Sequence, residues 1–155
     1  MSASIATPWE TFDRHDHTVP IALLASILDR TADAWVLIEP AVPEPPKHKM
    51  FTKTPDAEYQ ALVTPYADSE PPEIMIYATF PKGGVFSSRG GPALPAWATL
   101  SDDDKESAMI DMSITVATAD VVALAIAVIA GTSTTPFGDT WRTCIGDNHV
   151  GADIR

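Results

Sequence analysis

The segment FDRHDHTVP at residues 12–20 comes closest to a site that could do chemistry. His15 and His17 are separated by one residue, with Asp13 and Asp16 beside them. In an extended segment alternate residues point the same way, so the histidines would form an HxH pair. Zinc bound there would need one or two more ligands from elsewhere. The favoured interpretation is that these polar residues are solvated and precede or cap a helix. The alternative is a small metal-dependent hydrolase using His15 and His17.

Most other candidates for catalysis or metal binding lie near the C-terminus. His48 and His149 are the remaining histidines, and Cys144, Asp139 and Asp147 are further possible ligands. Cys144, His149 and one of the aspartates would supply a nucleophile, a base and an orienting carboxylate. Their spacing in a glycine-rich segment matches no recognised signature. A buried cysteine acting as a small apolar residue is the favoured interpretation, and we assign no catalytic, cofactor-binding or metal-binding residue.

The remaining motifs do not indicate a phosphate or calcium site. The stretches PKGGV and RGGPA lack the glycine spacing that cradles phosphates. The run SDDDKES at 101–107 lacks the spacing and closing glutamate of an EF-hand loop. We interpret the glycine stretches as turns and the charge run as solvated.

One basic cluster stands out in an acidic chain. The cluster consists of Lys47, Lys49 and Lys53, with His48 among them, and holds three of the five lysines of the chain. The simpler interpretation is a solvated loop. The sharper hypothesis is an arm that binds an acidic surface, such as that of a neighbouring copy of the chain.

Length and charge bound the class of protein. The chain has 155 residues, which is typical of one domain, and 21 acidic against 10 basic residues give a net charge of −11. Phosphate contacts dominate nucleic-acid affinity, so such a chain is a poor candidate for binding DNA, RNA or an anionic membrane. A basic partner, or solubility alone, is the better explanation.

Cysteine usage and hydropathy predict the compartment. The single cysteine excludes an intrachain disulfide and suits a reducing environment. The start MSASIATPWETF lacks a basic segment followed by an apolar stretch, so no signal peptide is expected. The longest apolar run, at 121–130, is about half of what spans a bilayer. We therefore expect a soluble, cytoplasmic protein with no cofactor.

Two apolar helices are predicted. Residues 19–33 carry apolar side chains at i, i+3 and i+7, with Thr18 placed to cap and Pro20 in the first turn. Residues 119–130 combine alanine and leucine with valine. Their length and flanking caps favour a buried helix there.

Strands are predicted where apolar runs are short or alternate with polar residues. WVLIEP at 35–40 and EIMIYATF at 73–80 are strand-like and end at proline. Residues 110–118 alternate apolar and polar side chains, which is typical of a strand with one buried face. Residues 55–63 suggest a short helical turn.

These elements predict an α+β fold in a single domain over residues 1–155. We expect a mainly antiparallel sheet of 3–5 strands with both helices on one face. The other face would be open to water or to another subunit. An extended arm (1–17), a Pro-rich loop (40–50) and a loop-rich C-terminal tail (132–155) complete the chain.

The order of elements resembles one known family. An amphipathic helix is followed by PPEIMIYATF and then by ESAMIDMSITVATADVVALAIAVIAG as strand running into helix. This order is similar to that of the phage tail-terminator family, small α+β proteins that form rings at the end of a tail tube. The resemblance covers about half of the chain and excludes the Pro-rich loop and the C-terminal tail. It implies an assembly role, and no functional residue is carried over from it.

The sequence thus predicts a non-catalytic interaction or assembly protein. Its partner would be another protein or a second copy of itself, since proline-stiffened loops lose little entropy on docking. A phage-type ring component and an acidic inhibitor are two forms of this prediction. The metal-dependent hydrolase remains the alternative.

Overall fold

The structure is a computed structural model that describes most of the chain. The described residues are 4–5, 8–28, 34–41, 59–66, 70–80, 94–103, 107–131 and 137–147. The helices are α1 (Thr18–Ile27) and α2 (Thr118–Gly131). The strands are β1 (Ser4–Ile5), β2 (Glu10–Asp13), β3 (Ala34–Pro40), β4 (Gln60–Tyr66), β5 (Glu73–Thr79), β6 (Ala98–Asp103), β7 (Ser107–Ser113) and β8 (Thr140–Asp147).

All eight strands of the described residues belong to one antiparallel sheet. The order is β1–β8–β3–β4–β5–β7–β6, and β2 also pairs with β8. Both β1 and β2 lie along the same side of β8, so they are successive pieces of one edge strand and the sheet has seven positions. The α+β class and the antiparallel pairing are as predicted, but a sheet of 3–5 strands is wrong.

Two of the strands that were not predicted, β4 and β6, have sequences unlike strands. β4 reads QALVTPY and includes Pro65, so the helical turn proposed for residues 55–63 is wrong from Gln60 onward. β6 reads ATLSDD, whose acidic end belongs to the run that we interpreted as solvated. Pairing with neighbouring strands satisfies the backbone groups of these segments and outweighs their weak intrinsic preference.

The C-terminal segment is the largest correction. Residues 132–155 were predicted to be loop-rich, yet β8 occupies Thr140–Asp147 and pairs with β3 on one side. The buried Trp141 and Thr143 face the helices, and Thr143 donates its hydroxyl to the carbonyl of Leu37 at 2.6 Å. Residues 137–139, just before β8, are also described. Residues 132–136 and 148–155 lie outside the described part.

Both helices pack on one face of the sheet, as predicted. α1 lies against β2, β3 and β8, α2 lies against β3, β4 and β5, and the two helices contact each other. α1 begins at Thr18, so Thr18 is a helical residue and not the cap. Its end was predicted near residue 33, whereas the helix ends at Ile27, and residues 29–33 lie outside the described part.

Alternation along the central strands fills the core beneath the helices. In β5 the buried residues Ile74, Ile76 and Ala78 alternate with partly exposed ones. Burying each larger aliphatic side chain contributes about 1.5–3 kcal/mol. Residues that alternate with this set point to the opposite face of the sheet, which we call the outer face.

The strand predicted at 110–118 is displaced. β7 ends at Ser113, and a turn follows in which Val116 donates its backbone N–H to the carbonyl of Ser113 at 3.1 Å. Ile114 and Val116 still pack against the core from this turn. Because both residues are apolar for this reason, the alternation in the sequence continues beyond the end of the strand, and the predicted strand was too long at its C-terminal end.

Two further predictions concern other parts of the chain. Most of the Pro-rich loop, residues 42–50, lies outside the described part, while Pro40 ends β3. Among the described residues, neither helix has the length and hydropathy that a membrane crossing requires.

Candidate functional site

The outer face carries a row of apolar side chains that crosses five strands. Pairing places one residue from each of β8, β3, β4, β5 and β7 side by side. We call these five residues the apolar row: Cys144, Leu37, Leu62, Tyr77 and Met109. Neighbours across an antiparallel sheet lie about 5 Å apart, so the row is continuous.

The apolar row is buried at one end and accessible at the other. Cys144 is fully buried and Leu37 is 7% exposed. Leu62, Tyr77 and Met109 are all partly exposed. No helix or strand of the described ranges lies on this face, because both described helices pack on the other one.

A second row, next to the first, contains an ion pair between a buried glutamate and a partly exposed arginine. Arg142 donates from Nε to Oε2 of Glu39 at 2.7 Å, and its Nη2 lies 2.5 Å from the same oxygen. Gln60 donates from Nε2 to Oε1 of Glu39 at 3.0 Å. The Glu39 side chain is 6% exposed and that of Arg142 is 41% exposed. Both carboxylate oxygens therefore have donors, as a buried charge requires.

Two tryptophans cover this end of the outer face. The guanidinium carbon of Arg142 lies 4.3 Å from the centroid of the Trp9 ring, a cation–π geometry. Trp35 packs its ring over Gly146, where an added Cβ would lie 2.2 Å from Nε1 of Trp35. Only glycine permits this approach. Together these contacts place two aromatic rings on the β8 end of the outer face, of which Trp9 is itself 36% exposed.

Cys144 lies at this end of the outer face and is fully buried. Burial raises the pKa of its thiol to about 11, with a further rise from the charge of Glu39 that Arg142 partly offsets. A thiol with so high a pKa is protonated at neutral pH and is a poor nucleophile. Of its proposed partners, Asp139 lies just before the start of β8 and His149 lies outside the described part. For Asp147, the structure describes the backbone pairing with Ser4 and Ala34.

A cavity opens at the other end of the outer face, near the β6 edge. It has a volume of about 290 Å³, and the residues that line it include Glu73, Asp111, Trp97 and Thr99. Glu73 begins β5, and Asp111 pairs directly with Thr99 of β6. Trp97, in the turn before β6, is 37% exposed. Neither carboxylate contacts a basic side chain among the described residues.

The FDRHDH segment forms a turn rather than an extended strand. β2 ends at Asp13, and Asp16 donates its backbone N–H to the carbonyl of Asp13 at 2.8 Å. The Asp13 side chain accepts the backbone N–H of His15 at 2.7 Å. Because the chain reverses here, the extended geometry assumed for an HxH pair is wrong for His15 and His17.

The two histidines have separate surroundings. His17 donates from Nε2 to the carbonyl of Arg14 at 2.5 Å. His15 is 68% exposed, and its Nε2 lies 3.6 Å from a carboxylate oxygen of Asp139, which also pairs with Arg14 at 3.3 Å. Asp139 is the only tail candidate that the described geometry brings to this segment. Within the described ranges, no three histidine, cysteine or acidic side chains form a group suited to a metal.

Asp16 has a structural role at the start of α1. Its carboxylate accepts the hydroxyl of Thr18 at 2.6 Å and the backbone N–H of Thr18 at 3.2 Å. These two bonds lower the pKa of Asp16 below its ordinary value of 3.8. This agrees with the interpretation that polar residues here lead into a helix.

Sequence reasoning missed the residues that organise the outer face. Glu39 and Arg142 are 103 positions apart, and nothing in their spacing connects them. The available signal was a single acid in the otherwise apolar run WVLIEP, since a charge buried in a strand needs a partner. His48, Lys47, Lys49 and Lys53 lie outside the described part.

Comparison with protein families, with curated proteins and with solved structures finds no match to this chain.

Proposed function

We propose that the chain is a non-catalytic assembly protein that binds a second copy of itself through the outer face of its sheet. The observation that carries this proposal is the accessible part of the apolar row, Leu62, Tyr77 and Met109. These side chains adjoin one another on three neighbouring strands. Contiguous apolar surface on a folded domain is typical of a protein-binding site.

The composition around this row supports protein binding. Tyrosine, methionine and tryptophan are enriched in the cores of protein interfaces. Here Tyr77 and Met109 are flanked by Met75, and Trp97 stands exposed at the edge of the same face. Side chains held on a seven-position sheet lose little freedom on binding, which reduces the entropic cost of association.

Charge supports a second copy as the partner. The chain has a net charge of −11, yet three of its five lysines fall within residues 47–53. One molecule therefore carries both an acidic surface and a basic segment that complements it. Like-charged copies would repel one another unless such opposite charges meet at the contact.

The described geometry offers little support for the hydrolase alternative. Cys144 is buried with a raised pKa. His15 and His17 lie on a turn, each with its own neighbours. A ring component of the kind found in phage tails is one form of the proposed assembly. A cytoplasmic location is part of the proposal and is supported by the single cysteine.

Two variants with the same added charge test the proposed surface. Met109→Lys places a cation in the accessible part of the apolar row, and Ala127→Lys places one on the exposed side of α2. Sedimentation velocity should show that Met109→Lys dissociates the assembly while Ala127→Lys leaves it intact. Assembly that survives Met109→Lys, or that Ala127→Lys disrupts equally, would overturn the proposal.

A further inference from the structure

The cavity at the β6 edge combines three features suited to one kind of ligand. Glu73 and Asp111 supply two carboxylates, and Trp97 supplies an exposed aromatic ring. Carboxylates attract an ammonium or guanidinium group, and an indole face attracts the same cation with about 0.5–2 kcal/mol. At about 290 Å³, the cavity is just below the usual range for small-molecule sites, roughly 300–1,000 Å³. It suits a single basic side chain better than a cofactor.

We infer that this cavity binds a lysine from the basic segment, residues 47–53, of a second copy of the chain. The inference rests on the proposed self-assembly and names its charged contact. The lysines at 47, 49 and 53 are the main concentration of positive charge in the sequence. Glu73 and Asp111 have no basic partner among the described residues of their own chain, so the contact would neutralise them.

The positions of the strand ends favour a contact between copies. The basic segment is joined to the sheet at Ala41 and Tyr59, next to Pro40 and Gln60. Glu73 lies at the opposite end, paired with the last residue of β4. Six residue steps along β4 span roughly 20 Å. Lys47 and Lys53 are each six residues from Ala41 or Tyr59, so either would need a nearly extended path to reach Glu73 of its own chain. A neighbouring copy has no such constraint.

The resulting contact joins two different surfaces. The basic segment of one copy occupies the cavity of the next, so the association is head-to-tail and leaves an unused segment and an unused cavity at the two ends. Because its charged part is close to the surface, the association should weaken as salt is raised.

Complementation between two variants tests this contact. The cavity variant is Glu73→Gln/Asp111→Asn, and the segment variant is Lys47→Gln/Lys49→Gln/Lys53→Gln. Each alone should associate at least about tenfold more weakly than the unmodified chain. Mixed in equal amounts, they should form a species of two chains, since one intact cavity and one intact segment remain. The control Glu10→Gln/Asp120→Asn removes two exposed carboxylates elsewhere and should associate normally.

The outcomes separate this inference from the proposed function. If the unmodified chain assembles and both variants assemble equally well, the inference is wrong and the proposed function stands. If the variants dissociate but their mixture does not recover, the lysines do not bind the cavity of another copy, and the inference is again wrong. If the unmodified chain does not self-associate, the proposed function fails and the inference fails with it. Thermal unfolding of each variant checks that the fold is intact.

Discussion

Arg142 binds Glu39 through two nitrogens that share one carboxylate oxygen, with Nε at 2.7 Å and Nη2 at 2.5 Å from Oε2. The two residues are unequally exposed, since the Glu39 side chain is 6% exposed and that of Arg142 is 41% exposed. Removing Arg142 should therefore affect the stability of the fold differently from removing Glu39. An arginine left alone keeps water and the Trp9 ring, whereas a glutamate left alone keeps Gln60 as its one side-chain donor among the described residues.

We predict that Arg142→Ala destabilises the fold more than Glu39→Ala. Removing one member of a buried ion pair costs about 3–5 kcal/mol when the other stays buried and charged. Arg142→Ala should approach this range, and Glu39→Ala should fall below it. Guanidinium denaturation of both variants measures the difference. If both variants lose the same free energy of unfolding, or if Glu39→Ala loses more, the buried charge of Glu39 does not depend on Arg142.

Gly146 should not tolerate even one added methyl group. A Cβ there would lie 2.2 Å from Nε1 and 2.6 Å from Cε2 of Trp35, so Gly146→Ala should cost about 1–3 kcal/mol through overpacking. Gly138→Ala is the matched control, because a Cβ at Gly138 meets nothing within 4 Å. In a Trp35→Leu background, Gly146→Ala should destabilise the fold less than it does in the unmodified chain. If the destabilisation is unchanged, contact with Trp35 is not its cause.

The thiol of Cys144 should be unreactive and should make stability depend on pH. Burial raises its pKa from 9.0 to about 11. The folded thiol thus keeps its proton where the unfolded thiol loses it. The free energy of unfolding should fall as pH rises from about 9 to about 11, with no such effect below that interval. Cys144→Ala should abolish this component, and rapid reaction of the native thiol with a disulfide reagent at neutral pH would contradict its burial.

Asp16 should contribute to stability only while it is ionised. Its pKa is lowered below 3.8 by the bonds from Thr18. A group with a lowered folded pKa stabilises the fold above its unfolded pKa, and this is lost as pH falls through the folded value. The stability difference between the unmodified chain and Asp16→Asn should therefore shrink in acid. In Thr18→Val the carboxyl titration seen by NMR should move upward, and an unmoved titration would mean that the hydroxyl is not responsible.

The helices and the strongest strands were accessible from sequence because local patterns specify them. Ile74, Ile76 and Ala78 alternate with partly exposed residues, and β5 was predicted almost to the residue. The apolar length of α2 likewise identified it. Such elements bury enough apolar surface for periodicity, or apolar length with flanking caps, to reveal them.

The missed strands depend on distant neighbours. β8 is an interior strand, because β3 pairs with it along seven residues on one side and β1 and β2 pair with it on the other. Its sequence TWRTCIGD is nevertheless polar enough to be taken for a loop. Residues 55–63 were predicted as a helical turn, although β4 pairs with β5 throughout and accommodates Pro65. Underestimating the sheet hid the apolar row as well, since the row exists only when five strands are placed in register.

The candidate site shows the same limit. The histidine segment drew attention because its residues are adjacent in sequence, but a turn gives His15 and His17 different neighbours. The Glu39–Arg142 pair and the cavity by Trp97 arise from residues far apart in the chain. Only the pairing of strands reveals them.

The mass of the unmodified, untagged protein in solution tests the proposed self-assembly most directly. Light scattering coupled to size exclusion should give a multiple of the 16.6 kDa chain mass, falling towards that of a single chain on dilution and at high salt. A mass of 16.6 kDa at every concentration would contradict self-assembly through the outer face.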